Sequence, residues 1–111
     1  LDGLARIIDV LGDDHSSLDS KVEAVQAIGI AFSEGKVDKS KIVKEAITAL
    51  EDCLGRENAA LSEAAVEALG DIGTQAIGSK GKLLSHMNAN KNNNRLCVKI
   101  AAALLKISPI H

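Results

Sequence analysis

The chain has 111 residues, 46% hydrophobic and 25% charged, the composition of one modest globular domain and not of a disordered or membrane-spanning chain. Its apolar residues are 16 Ala, 13 Leu, 11 Ile and 7 Val against one Phe and no Tyr or Trp, which argues against stacked-base recognition, aromatic cages and sugar platforms. The net charge of −2 is unevenly spread: residues 1–55 carry six basic and eleven acidic side chains, and after Asp71 six cations follow unopposed.

Ala and Leu head the helix-propensity scale, and the sequence has a single Pro. Six apolar-periodic segments follow one another. They are Leu1, Leu4, Ile7, Ile8, Leu11; then Leu18, Val22, Val25, Ile28, Phe32; then Ile42, Val43, Ala46, Ile47, Leu50, Cys53, Leu54. The fourth is Leu61, Ala64, Ala65, Ala68, Leu69, Ile72; the fifth, weaker, is Ile77, Leu83, Leu84, Met87; the sixth is Leu96, Cys97, Ile100, Ala103, Leu104, Ile107. Spacings of three and four place each set on one helical face, and nowhere does the period-two alternation of a half-buried strand appear. Gly12, Gly35, Gly55 and Gly73 stand where left-handed C-terminal caps are wanted. Ser17, Asp38, Asn58, Thr74 and Asn94 are candidate N-caps. Gly78 and Gly81 interrupt the fifth segment and move its expected start to near Lys80. Residues 88–94, five of the seven Asn, read as a long inter-helix loop.

The segments repeat. Leu61–Gly73 aligns with Leu96–Ser108 at an offset of 35, matching Leu61 with Leu96, Ala68 with Ala103, Leu69 with Leu104 and Ile72 with Ile107. At an offset of 41, Val25–Gly29 falls on Val66–Gly70. Two helices per 35–41 residues suit a stacked helical-hairpin solenoid. Glu63–Gly73, EAAVEALGDIG, closely resembles the second-helix signature of HEAT repeats, with looser matches at Val22–Gly29 and Val98–Ile107. Lys21, eight residues before Gly29, matches a basic position frequent in that family, whereas Ser62 and Cys97 stand at the equivalents. The resemblance implies an all-α, right-handed α-α superhelix of about three hairpins, at 1–35, 38–73 and 74–108, with the second helices on the concave side. Gly29, Ala65, Ala68 and Gly70 are expected where the two helices of a hairpin approach closely, with Ala68 and Leu69 buried between those of the second.

The chain begins at Leu1 without an initiator Met, and Ser108–Pro109 reads as the start of a seventh helix; both predict a piece of a longer solenoid. A solenoid cut there is expected to expose apolar surface around Leu104 and Ile107 and to self-associate end to end.

Catalytic and cofactor chemistry finds little to stand on. Gly73–Lys80 nearly spells a phosphate-binding loop, but Ser79 and Lys80 are in the wrong order and no strand precedes it. His15, His86 and His111 read as solvated and lack metal-ligand spacing with each other or with Cys53 and Cys97. The two cysteines, 44 residues apart, read as buried free thiols of a reducing, cytoplasmic compartment. With no apolar run of about 18 residues, a membrane partner is not expected.

The charged stripes carry the functional expectation. Glu63, Glu67 and Asp71 recur off the apolar face of the fourth helix, and Arg95, Lys99 and Lys106 off that of the sixth. The offset of 35 stacks Asp71 over Lys106. By the resemblance, the two stripes share the inner surface, where they act as solvated, weakly paired faces or as part of a charged groove. The expected role is a non-catalytic, cofactor-free scaffold that binds a protein or peptide partner there. The alternative is nucleic-acid binding through the basic residues 72–111.

Overall fold

The three- and four-residue apolar spacing is realised as helix. The computed structural model describes residues 2–13, 15–34, 40–54 and 59–108. Its helices are α1 (Asp2–Gly12), α2 (Leu18–Ser33), α3 (Ser40–Leu54), α4 (Ala59–Ile72), a 3₁₀ segment (Gly73–Ser79), α5 (Lys80–Ala89) and α6 (Asn94–Ile107). No strand occurs among the described residues.

The helix ends match the punctuation in part. Ser17 caps α2 by accepting from the Ser20 amide at 3.1 Å. Gly73, at φ +77°, takes the left-handed position that ends α4. Gly12 has no positive φ and simply forms the last residue of α1. Asn93, not Asn94, caps α6, accepting from the Leu96 amide at 3.1 Å; both are good caps, and the turn selects the earlier. Thr74 caps nothing, because the chain leaves α4 directly into the 3₁₀ segment, kinked at Ala76, before α5 begins at Lys80. The Asn-rich stretch is no long loop: α5 runs to Ala89 and α6 starts at Asn94. The expected caps Gly35, Asp38, Gly55 and Asn58, and the helix start at Pro109, lie outside the described residues.

Helix α4 is the central element. It packs between α2 and α6, while α3 and the 3₁₀ segment cover it from another side; α1 lies on α2 and α3, and α5 on α6. The smallest molecular extent, 18 Å, is about two helix diameters. The core runs through all of this as one cluster, with Val25, Ile28, Leu50, Leu61, Leu69, Leu83 and Ile100 essentially inaccessible. A uniformly aliphatic, Ala-rich interior of this kind depends on close helix approach rather than on bulky side chains.

The small residues govern that approach, but between different helices than expected. A Cβ on Gly29 of α2 would lie 3.4 Å from the Cα of Ala68 in α4. One on Gly70 of α4 would lie 3.1 Å from the Cα of Ala103 in α6. The close contacts therefore join α2 to α4 and α4 to α6, not the two helices of a sequential pair. The physical reason is angular: Ala68 and Gly70 are two residues apart, about 200° around the helix, so they face opposite neighbours. The surface at α6 also differs from expectation. Ile107 is only 1% exposed and belongs to the core, Leu104 is half-buried, and Val98 and Leu105 are the exposed residues instead.

Candidate functional site

The charged stripes of α4 and α6 meet. Four-residue spacing carries Glu63, Glu67 and Asp71 along the α6-facing flank of α4. Arg95 Nε donates to Glu63 Oε1 at 3.0 Å, Lys99 Nζ pairs with Glu67 Oε1, and Lys106 Nζ lies 3.5 Å from Asp71 Oδ1. The three pairs form a ladder that ties α4 to α6. It leaves Arg95 76% exposed at its outer end, while Lys99, expected to be open, retains only 25% because it lies along α4. Exposed pairs of this kind each contribute roughly 0–1 kcal/mol, so the ladder fixes orientation more than it stabilises.

Two shallow grooves flank α4. One, of about 250 Å³, lies against α2 and is lined by Val25, Gln26, Gly29, Ile30, Ala64, Glu67, Ala68 and Asp71. The other, of about 390 Å³, lies against α6 and is lined by Glu67, Gly70, Asp71, Val98, Lys99, Ala102, Ala103 and Lys106. Glu67 and Asp71 are the shared wall, and the missing side chains of Gly29 and Gly70 give each groove its depth. The charged residues were legible from their spacing. Gln26 and Ile30 were not singled out, although an exposed Ile off the apolar stripe of α2 was a usable signal.

A second polar cluster joins α3, the 3₁₀ segment and α5. The buried Ser79 hydroxyl donates to Glu51 Oε2, and Lys82 Nζ pairs with Glu51 Oε1 at 3.3 Å. A cleft of about 400 Å³ beside them is lined by Glu51, Leu54, Gly81, Lys82, Ser85 and His86. The Ser79 hydroxyl thus serves a carboxylate of α3, and the Gly73–Lys80 segment, which follows a helix, presents no open loop for a phosphate. His86 departs from the expected solvated role. It is half-buried in α5, its Nε2 is buried without a hydrogen-bond partner, and burial lowers its pKa from the ordinary 6.5. His15 is exposed, as expected, and His111 lies outside the described residues.

A further cleft, of about 670 Å³, opens between α1 and α3 and brings together Asp9, Lys44, Glu45, Thr48 and Asp52 without a nucleophile–base pairing. Among the described residues, no group of three or more His, Cys, Asp and Glu side chains could hold a metal ion. Cys53 is buried; Cys97 is half-buried, and its thiol lies 3.4 Å from the Asn90 carbonyl. No helix among these residues is long and apolar enough to cross a membrane. No family model, curated protein or solved structure matches the chain.

Proposed function

We propose that the chain is a non-catalytic interaction module, a HEAT-like solenoid of three helical pairs, that binds a protein or peptide partner across α2, α4 and α6. The observation that carries this reading is the pair of adjacent grooves sharing the Glu67–Asp71 wall. Together they offer a continuous, shallow surface with apolar footholds at Ile30 and Val98 and charges of both signs. Such a surface suits an extended segment better than a small molecule, which needs a concave and largely enclosed site. Charge would supply register and selectivity, and the apolar footholds affinity. An intracellular setting agrees with a cysteine content of only two residues, 44 positions apart.

The nucleic-acid alternative is weakened by where the cations go. Of the six that follow Asp71, Lys82, Arg95, Lys99 and Lys106 are engaged by Glu51, Glu63, Glu67 and Asp71. A phosphate backbone would have to compete with those carboxylates. The test is affinity capture from a cell lysate with the parent chain and with Ile30→Glu and Glu67→Lys, followed by identification of the captured proteins. A partner retained by the parent and lost by both variants supports the reading. A partner held equally by all three removes these grooves from it, and tight binding of nonspecific DNA or RNA at low salt would favour the alternative.

A further inference from the structure

The two grooves beside α4 share a wall but differ in charge. The α4–α6 groove has Lys99 and Lys106 in its lining beside Glu67 and Asp71. The α2–α4 groove has the same two carboxylates and no cation among its described lining residues. Its α2 rim adds more negative charge. Asp19, Glu23, Gln26 and Ile30 follow at spacings of four, three and four, so they share the stripe of α2 that borders this groove, and all four are exposed. Neither Asp19 nor Glu23 has an ion-pair partner among the described residues.

The carboxylates of the shared wall are only half used. Asp71 faces Lys106 with Oδ1 at 3.5 Å, and Glu67 receives Lys99 on Oε1. Their second oxygens accept no hydrogen bond from the described residues. Asp71 Oδ2 reaches toward α2, to 3.0 Å from where a Cβ on Gly29 would stand. The glycine therefore leaves a notch on the α2 side whose nearest atom is a carboxylate oxygen. The rest of this groove is largely apolar, with Val25, Ala64 and Ala68 buried and Ile30 57% exposed at the rim. Gln26, also at the rim, offers a donor and an acceptor to a partner's main chain.

We propose that the α2–α4 groove takes an extended, basic segment of a partner protein, with an arginine laid over Gly29 onto the open oxygens of Asp71 and Glu67 and an aliphatic side chain on Ile30. This rests on the reading of the grooves as a partner surface and adds the chemistry that one of them selects. A guanidinium fits best, because it is a rigid fork of donors, stays charged and is more weakly hydrated than an ammonium. An acidic segment or a phosphate backbone would meet Asp19, Glu23, Glu67 and Asp71 together. A second copy of the chain fits less well, since every described cation except Lys91 lies within a helix and not in an extended arm. Charge pairs this exposed are individually weak, so affinity for a short segment is low.

The test is two-dimensional NMR of the isotope-labelled chain at low salt, titrated with the blocked octapeptide Ala-Leu-Arg-Ala-Leu-Arg-Ala-Leu and with its Lys and Glu counterparts. Peptides this short do not hold a helix in water, and about 1 mM of each covers weak binding. The Arg peptide should shift the amides of Gln26, Ile30, Glu67 and Asp71 saturably, the Lys peptide more weakly, and the Glu peptide should leave this groove unmoved. Added salt should weaken the response. Asp71→Asn and Glu67→Gln should each raise the Kd of the Arg peptide at least about threefold. Glu45→Gln, an exposed carboxylate of α3 outside both grooves, should leave it unchanged. Circular dichroism of all three variants should stay at the parent level. Equal weakening by Glu45→Gln reduces the attraction to net charge and overturns the proposal. Shifts at the same residues when the chain alone is concentrated put a second copy in the groove and overturn it too. A Glu peptide that moves Val98 and Lys99 while the Arg peptide moves nothing overturns the basic segment but keeps the grooves as a partner surface. Silence of both grooves toward every peptide also overturns the proposal, and capture with Ile30→Glu then decides the partner reading on its own.

Discussion

Adding one methyl group to Gly70 should cost stability, while the same addition at Gly29 should not. Each glycine lies inside a helix, where Gly→Ala gains about 1 kcal/mol of intrinsic propensity. At Gly70 the new Cβ would sit 3.1 Å from the Ala103 Cα and 3.2 Å from its Cβ. Ordinary carbon contacts lie near 3.5–4.0 Å, so the deficit is a few tenths of an ångström or more. Backbone must absorb it, and α6 is held in place by the ladder and by Ile100 and Ile107 in the core. Overpacking of this kind costs about 1–3 kcal/mol, which leaves Gly70→Ala destabilised by about 0–2 kcal/mol net. At Gly29 the backbone contact is 3.4 Å, and the tightest neighbour, at 3.0 Å, is a carboxylate oxygen of Asp71 that can rotate aside. Gly29→Ala should therefore be neutral or up to about 1 kcal/mol more stable. Urea unfolding of both variants reads the difference directly. Ala103→Gly should rescue Gly70→Ala only in part, because the Ala103 Cα remains in the way. If Gly70→Ala stabilises the chain as much as Gly29→Ala does, α4 and α6 do not approach as described.

Four further outcomes are expected. Ala68→Leu, at a site 2% exposed against Gly29, should destabilise by about 1–3 kcal/mol in chemical unfolding, with an unchanged midpoint speaking against the α2–α4 contact. Gly81→Ala, which meets nothing within 4 Å, should raise the thermal midpoint, since it adds about 0.4–1 kcal/mol by restricting the unfolded chain. Arg95→Ala should change stability by no more than about 1 kcal/mol, and the change should shrink further in high salt. His86 has a folded pKa below its unfolded value, so the unfolded state binds more protons between the two. Stability should be full above about pH 6.5 and fall as the pH drops through the window down to the folded pKa; His86→Gln should flatten that slope in pH-dependent unfolding.

The helices were legible because aliphatic periodicity and the caps at Ser17 and Gly73 point the same way. The direction of each face was harder to read. Ala68 and Gly70 are recognisable as close-approach residues, but a repeat alignment does not say which neighbour each meets. The pairing of Asp71 with Lys106 follows from the 35-residue offset, whereas Arg95–Glu63 and Lys99–Glu67 span 32 and depend on how far α6 is slid along α4. The coverage of Lys99 and the depth of the two grooves are set by that same slide and by interhelical distance, quantities to which side-chain pattern is nearly blind. The Glu51–Ser79 bond joins elements 28 residues apart through a 3₁₀ segment that has no strong periodic signature.

The placement of α4 between α2 and α6 has a dynamic consequence. An element gripped on two flanks cannot release its backbone amides by fraying from one side; its opening requires the whole bundle to come apart. Amide hydrogen exchange should therefore be slowest in the middle of α4, around Val66 and Leu69, and faster toward α1, whose main neighbours are α2 and α3. A ligand lying across both grooves would straddle this slowest segment and hold three helices at once. It would slow the exchange of amides it never touches, and the reach of that slowing along α2 and α6 would measure how far the three helices open together.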